Sequence, residues 1–181
     1  MDNQQRRLAR LGWAGGIIDG EGCVSFGSSN DFRRSQSRLL YPSFKMCNTS
    51  QLLLDEFCGV LKENDLAWLR RDVDIRNPKH KPQQVILIYG MKRMLRFITV
   101  MQPFTLVKWK QMEVIRAYCD HRLARPYHSS LDSYEIWLLE YMRELNQRGV
   151  HSRSETNTPD TARPAVMIEP VLHAKAEEER L

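Results

Sequence analysis

The sequence has no long apolar run and no recognisable export signal. No stretch approaches the roughly 20 consecutive apolar residues that a membrane-spanning helix needs. The N-terminal segment MDNQQRRLARLGWAGG is not of secretory type, and Asp2 argues against a removable organellar presequence. We therefore expect a protein of 181 residues with no membrane partner and with enough chain for a real hydrophobic core.

Cysteine is also scarce. The four cysteines show no C-x-x-C pair and no nearby histidine at a spacing suited to zinc. Neither a structural zinc site nor a disulfide framework is therefore expected. We interpret Cys23, Cys47, Cys58 and Cys119 as buried or half-buried free thiols of a protein from a reducing compartment.

Acidic residues are outnumbered, with 22 Asp and Glu against 27 Lys and Arg, for a formal net charge of +5. Residues 151–181 contain four basic and six acidic side chains, so residues 1–150 carry 23 basic against 16 acidic, or +7. From Gly149 onward prolines and Ser/Thr clusters become frequent. We predict a folded domain over residues 1–150 with a polyanionic partner. Residues 151–181 are predicted to form an extended or partly disordered tail.

Only nine glycines are present, yet three fall within five residues of one predicted helix. The stretch at residues 11–26, LGWAGGIIDGEGCVSF, reads as an apolar helix that meets an acidic turn and then a strand. Gly12, Gly15 and Gly16 should each cost about 1 kcal/mol relative to alanine. Such a cost is reasonable where another backbone must approach closely, so these glycines and Ala14 predict a contact surface.

Two carboxylates, Asp19 and Glu21, follow at the C-terminal end of that helix. They lie near the negative end of the helix dipole, which is an unfavourable place for an acid. A bound cation would relieve the conflict. An ordinary helix stop with turn acids is an equally good interpretation of these residues taken alone.

The remaining periodicities predict four strands and four further helices. The strands cover residues 23–29, 39–48, 68–76 and 83–89, the last two as a hairpin. The helices cover residues 50–62, 91–101, 105–122 and 131–148. Strand pairs followed by helices predict an α+β fold with the helices on one face of the sheet.

The other face of that sheet is predicted to be polar and partly basic. Solvent exposure is the commoner explanation of such a face. Basic loops that extend it favour a nucleic-acid reader instead, with phosphate contacts beside base contacts. The candidate DNA-binding residues are Ser25, Gly27, Ser29, Arg33, Arg34, Arg38, Tyr41, Ser43, Lys45, Arg70, Asp72, Asp74, Arg76, Lys79, Lys81 and Gln83.

Three segments resemble one known family. AGGIIDGEG at residues 14–22 resembles the LAGLIDADG motif of homing endonucleases. FKMCNTSQLLLDEF at residues 44–57 and MQPFTLVKWKQMEVI at residues 101–115 resemble its second strand end and its Q-P-F helix start, in family order and spacing. Ala14 and Gly15 stand where the family often has Leu and Ala, and Glu21 replaces the more frequent Asp. The resemblance implies an αββαββα fold with an antiparallel sheet saddle for DNA and helices on the opposite face.

The resemblance also implies a function. A single motif copy implies a homodimer whose motif helices pair through Gly12, Ala14, Gly15, Gly16 and Asp19, although Asp19 more directly orients the turn. Glu21 and the Gly20 carbonyl would bind Mg²⁺, which Mn²⁺ or Ca²⁺ can replace for binding. Asn48 would order solvent near the nucleophilic water, and Lys108 would support transition-state charge.

Such an enzyme cuts both strands of a pseudo-palindromic double-stranded DNA site of about 20 bp. It leaves 3′ overhangs and promotes the mobility of an intron or intein. Two alternatives share the scaffold, an RNA maturase that acts on its own intron RNA and a non-catalytic DNA-binding regulator. A reducing compartment that contains DNA fits all three, whether bacterial or archaeal cytoplasm or an organelle matrix or stroma.

Overall fold

The structure is a computed structural model that describes residues 2–29, 39–73, 81–126 and 129–147. The chain divides into two compact units, Met1–Arg148 and Gly149–Leu181. The second unit lies outside the described residues, so the predicted tail at 151–181 stays a prediction. None of the described helices is long and apolar enough to cross a membrane.

The described elements follow the predicted order. Their bounds are α1 (Asn3–Glu21), β1 (Gly22–Ser29), β2 (Leu39–Asn48), α2 (Gln51–Glu63), β3 (Leu69–Asp72), β4 (Gln84–Tyr89), α3 (Met91–Met101), a 3₁₀ turn (Gln102–Phe104), α4 (Trp109–Leu123) and α5 (Ser133–Leu145). The four strands form one antiparallel sheet in the order β1-β2-β4-β3. This arrangement confirms the predicted α+β fold with αββαββα order.

One face of the sheet carries the helices and the core. Phe44 lies at its centre, opposite Val24 on β1 and Ile88 on β4. Its ring stacks with Phe57 of α2 at 6.0 Å and packs against Phe97 of α3 at 4.8 Å between centroids. All five side chains are essentially inaccessible to solvent. Burial of this apolar surface on one sheet face is the main source of stability.

Helix α5 closes the β1 edge of the sheet. It begins with a capping box in which Asp132 and Glu135 each bond the other's backbone N–H. At its other end, the Asn146 side-chain amide donates to the Val24 carbonyl at 3.1 Å. Because β1 pairs only with β2 among the described strands, this bond falls on the outer edge of the sheet.

Several boundaries differ from the predictions, most of them by one to three residues, and two of the differences affect the candidate site. Helix α1 continues through both acids and ends only where Gly22 becomes extended, at φ −79° and ψ 148°. The acidic stretch is therefore the last helical turn and not a separate turn. Residues 105–108 are not helical, because Pro103 lies in a 3₁₀ turn and Thr105 follows it in an extended conformation. Helix α4 consequently starts at Trp109.

All four cysteines are free thiols. Cys47 and Cys58 are half-buried and Cys119 is buried, and burial raises the pKa of the Cys119 thiol to about 12. The expected burial is wrong for Cys23, which is exposed. It lies on the sheet face opposite the helices because its neighbours Gly22 and Val24 face the core.

Candidate active site and nucleic-acid interface

The C-terminal tip of α1 carries an exposed carboxylate, that of Glu21. The Gly22 N–H bonds the Ile18 carbonyl, whereas helix geometry leaves the following carbonyls, including that of Gly20, without a partner inside the helix. The last turn contains no basic residue. The tip therefore presents several oxygen atoms at the negative end of the helix dipole, which favours a cation.

Asp19 connects this tip to a distant segment of the same chain. Its two carboxylate oxygens accept the backbone N–H groups of Leu106 at 2.7 Å and Lys108 at 2.9 Å. These bonds explain why residues 105–108 stay out of the helix that the sequence predicted there. The carboxylate thus orients the segment that carries Lys108, and the place of Asp19 in a dimer interface stays a prediction.

Asn48 is the last residue of β2. Gly22, the first residue of β1, pairs with Met46, so Asn48 lies two residues beyond that pair at the same end of the sheet. Its Oδ1 accepts the Ser50 N–H at 2.8 Å, and Ser50 in turn caps α2. The three predicted catalytic residues are therefore brought to one end of the domain by the start of β1, the end of β2 and the Asp19 contact.

The small residues of α1 fall into two groups. Gly12 and Gly16 are exposed, and a Cβ atom added at either would meet nothing within 4 Å. Ala14 and Gly15 are buried, and a Cβ at Gly15 would lie 1.9 Å from the Phe104 carbonyl oxygen. The prediction that all four form one contact surface is wrong for Ala14 and Gly15, because Ala14 belongs to the hydrophobic core and Gly15 lies against the 3₁₀ turn.

A groove borders the exposed glycines. It has a volume of about 540 Å³ and runs between α1 and the start of α2, lined by Trp13, Ile17, Leu52 and Leu53 among others. Trp13 is 40% exposed and Leu52 is 74% exposed. Charged residues of α1 and α2 also line the groove. The outer side of α1 is thus partly apolar and almost flat at its glycines, which suits close contact with another helix.

The sheet face opposite the helices, here called the open face, is set by the strand register. Cross-strand partners share a face, so the residues that alternate with Val24, Phe44 and Ile88 all lie on it. Among the predicted DNA-binding residues, this places Ser25, Gly27, Tyr41, Ser43 and Lys45 on the open face. Their contact with DNA stays a prediction.

The prediction that Arg70 and Asp72 lie on the open face is wrong. Arg70 pairs with the core residue Ile86, so both residues face the helices. The Arg70 guanidinium donates to Asp55 and Gln51 of α2, both at 2.5 Å, and to Gln84 at 2.6 Å.

The reason for this orientation is the polar N-terminal part of α2, which lies under the end of the sheet and satisfies the guanidinium. Asp72 likewise accepts from the Gln84 amide at 2.8 Å. Leu69 and Arg71 lie on the open face instead. The predicted alternation had placed Leu69 on the opposite side and had not assigned Arg71. Tyr89 was also missed, although its alternation with the apolar Ile86 and Ile88 in the predicted strand gave the signal.

The predicted basic loops are only partly described. Lys81 and Gln83 are exposed beside β4, and the Gln83 carbonyl accepts the Val73 N–H at 2.9 Å. The other predicted DNA-binding residues lie outside the described residues or, for Ser29, have a side chain that is not described: Ser29, Arg33, Arg34, Arg38, Asp74, Arg76 and Lys79.

A second acidic cluster lies between α4 and α5. His121, Asp132 and Glu135 form the one group of three potential metal-ligating side chains in the described parts of the chain. Arg122 and Arg125 already contact the Glu135 carboxylate at 3.3 and 2.8 Å, so its charge is compensated by guanidinium groups. This cluster joins two helices and does not include Glu21.

No known protein family model and no curated protein matches the sequence. Solved structures do match the fold. The homing endonuclease I-CvuI, in complex with the I-CreI target in 2 mM Mg with the DNA not cleaved, aligns at a TM-score of 0.61 and 13% identity over 84% of this chain and 88% of its own. The archaeal intron-encoded homing endonuclease I-Vdi141I, complexed with DNA, aligns at 0.59 and 14% over 84% and 91%.

A third solved structure of similar fold is a LAGLIDADG homing endonuclease. The LAGLIDADG homing endonuclease I-GzeII, in complex with its DNA target, aligns at a TM-score of 0.53 and 12% identity over 75% of this chain and 43% of its own. Identities this low establish a common architecture. The chain therefore has the fold of the LAGLIDADG homing endonucleases, as the motif at residues 14–22 predicted.

Proposed function

We propose that this protein is a site-specific homing endonuclease that makes a Mg²⁺-dependent double-strand break in DNA. The observation that carries the proposal is the end of α1, where the exposed Glu21 carboxylate lies two residues from the carboxylate that anchors Lys108. A carboxylate that can hold a metal ion and a lysine whose backbone is fixed at the same end of the sheet suit the hydrolysis of a phosphodiester. The structures of similar fold are homing endonucleases, several of them complexed with DNA.

The oxygen donors at the tip of α1 fit a hard divalent cation. The Glu21 carboxylate and the Gly20 carbonyl would hold it, and both are the ligand type that Mg²⁺ prefers. When bound, the ion supplies activation of water and stabilisation of the leaving oxygen. I-CvuI was studied with DNA in Mg and in Ca, which supports the use of a divalent ion on this fold.

The remaining roles belong to the chain itself. Lys108 would place its ammonium group against the charge that develops on the phosphate, and Asp19 would keep its backbone in position. Asn48 uses Oδ1 to bond the Ser50 N–H, so its amide NH₂ would be the group that orders solvent. Lys45 and Arg71 on the open face would contact the duplex.

The homodimer is part of this proposal. One chain offers one exposed carboxylate at the tip of α1, whereas cutting two strands calls for two such tips. Pairing through Gly12 and Gly16 would bring two copies of α1 together and place both tips side by side. The chain aligns with 43% of I-GzeII, which leaves space in that longer protein for a second unit of this kind.

A cleavage assay tests the proposal. Its substrate is a DNA duplex in which the two sequences that flank this reading frame's intron or intein are joined without it. With Mg²⁺, the wild type should cut both strands and leave 3′ overhangs, and Glu21→Gln should bind the duplex without cutting. Glu144→Gln is the matched control, since Glu144 is also exposed and lies in the last turn of α5. We expect it to cut like the wild type.

The outcomes separate the rival functions. Sequence-specific binding without cutting by the wild type would favour a DNA-binding regulator and contradict the endonuclease. Binding of the intron RNA that encodes the protein, together with faster splicing and no DNA cleavage, would favour a maturase. Equal loss of cutting in Glu21→Gln and Glu144→Gln would place the active site elsewhere.

A further inference from the structure

The open face contains an apolar pair where a groove-reading surface would be expected to be polar. Leu69 on β3 and Leu87 on β4 lie directly opposite each other across the antiparallel pair. Leu69 is 42% exposed and Leu87 is half-buried. Their cross-strand arrangement brings the two side chains within contact distance on one surface.

This pair does not belong to the hydrophobic core. The core takes Ile86 and Ile88 from β4, which alternate with Leu87 and face the helices. Val85 shares this face and is only 3% exposed, so that part of β4 is covered, whereas Leu69 and Leu87 keep some of their surface accessible. Much of the apolar surface of Leu69 and Leu87 therefore stays accessible in the folded chain.

Charged residues flank the pair on the same face. Lys45 pairs with Leu87 across β2 and β4, and Arg71 is two residues after Leu69 on β3. Both are exposed. An apolar centre between cationic side chains matches the major groove, in which phosphates border the base edges and thymine displays its 5-methyl group between them.

We propose that Leu69 and Leu87 contact thymine 5-methyl groups in the major groove and so require thymine at the positions that β3 and β4 cover. The inference rests on the proposed function, because it deepens the recognition step of the same protein. It names a specificity contact on the sheet and is independent of the cutting step at Glu21.

Replacing thymine by uracil tests the inference, since uracil pairs identically and lacks only the methyl group. A duplex is first selected from a randomised library by its binding to the full-length wild type in Ca²⁺. The same duplex is then made with deoxyuridine in place of every thymine. We expect the selected site to contain thymine and the wild type to bind the uracil duplex about fourfold more weakly for each buried methyl group.

Variants assign the effect to the pair. Leu69→Ala combined with Leu87→Ala should bind the thymine and uracil duplexes equally. Leu123→Ala is the control, because Leu123 is a leucine of α4 that is 44% exposed, about as much as Leu69, and the variant should retain the wild-type preference. If the double variant does not fold, Leu69→Ala and Leu87→Ala are tested separately, and each should lower the preference for the thymine duplex.

Equal binding of both duplexes by the wild type would overturn this inference and leave the endonuclease proposal intact. A thymine preference that persists in a folded double variant would overturn it too. Failure to enrich any duplex would contradict the proposed function and the inference together.

Discussion

Gly15 and Gly16 are neighbours in one helix, yet Gly15 lies on the crowded inner face of α1 and Gly16 on its open outer face. On the inner face, the Phe104 carbonyl occupies the place where a side chain at Gly15 would begin. On the outer face, nothing in the described chain lies within 4 Å of a Cβ at Gly16 or Gly12. The fold of one chain therefore explains one glycine and leaves the other two unexplained.

This difference between the two faces indicates that Gly15 is needed for folding, whereas Gly12 and Gly16 serve the proposed assembly. A glycine that costs helix propensity without a close neighbour in its own chain suggests a neighbour from another molecule. The proposed second copy on the outer face of α1 meets this requirement. Substitutions on the two faces should consequently have different effects, and the following variants test whether they do.

Gly15→Ala should have the largest effect on folding. The new methyl group would overlap the Phe104 backbone, which cannot move as a flexible side chain would, so we expect a loss of about 3 kcal/mol in the free energy of unfolding. Urea denaturation measures it. Gly16→Ala is the matched control and should stabilise the isolated chain by about 1 kcal/mol, because a Cβ there meets nothing within 4 Å. Equal destabilisation by both variants would remove the distinction between the faces.

Asp19→Ala should have the next largest effect. It removes a charged acceptor from the Leu106 and Lys108 amides and should lower the free energy of unfolding by about 2 kcal/mol. Cutting should fall further than binding, because Lys108 would lose its support. Asp19→Asn keeps one acceptor oxygen and should be intermediate in single-turnover cleavage. Normal cutting by a folded Asp19→Ala variant would show that Lys108 needs no such support.

Gly16→Leu should act on assembly and hardly on folding. A leucine on the flat part of the outer face would hold two copies of α1 apart, so the mass measured by light scattering should fall to that of one chain. Glu140→Leu adds a leucine at an exposed position of α5 and should leave the mass unchanged. An unchanged dimer in Gly16→Leu would place the interface on another surface.

Gly12→Ala should have the smallest effect. One methyl group in open space gains about 1 kcal/mol of helix propensity in the monomer. Crowding at the proposed helix contact should offset part of this gain. Thermal unfolding at several protein concentrations measures both the gain in the monomer and the loss at the helix contact. A destabilisation that does not depend on concentration would mean that Gly12 already has a close neighbour in its own chain.

The sequence predicted much of this architecture because the local signals were consistent. Helix α3 was predicted with both bounds correct, since its apolar spacing matches a helix and Pro103 follows its end. The order of the strands and helices along the chain and the pairing of β3 with β4 were also correct. These features depend on periodicity and on turn residues, which act over a few positions.

The errors arose where distant contacts decide. Arg70 and Arg71 are adjacent and equally compatible with a strand, so alternation could not show which one faces the helices. The answer depends on Gln51 and Asp55, which belong to α2. Likewise, Asp19 and Lys108 are 89 residues apart, and no local pattern predicts their bond.

The contact between Asn146 and the Val24 carbonyl has a consequence for solubility. An outer strand offers unused backbone groups to which a strand of another molecule can add. Here one of these acceptors on β1 is occupied by a side chain, and α5 lies against the strand that carries it. At the opposite border, β3 is only four residues long, which is too short to be a good template. Extension of the sheet from copy to copy is thereby disfavoured at both borders.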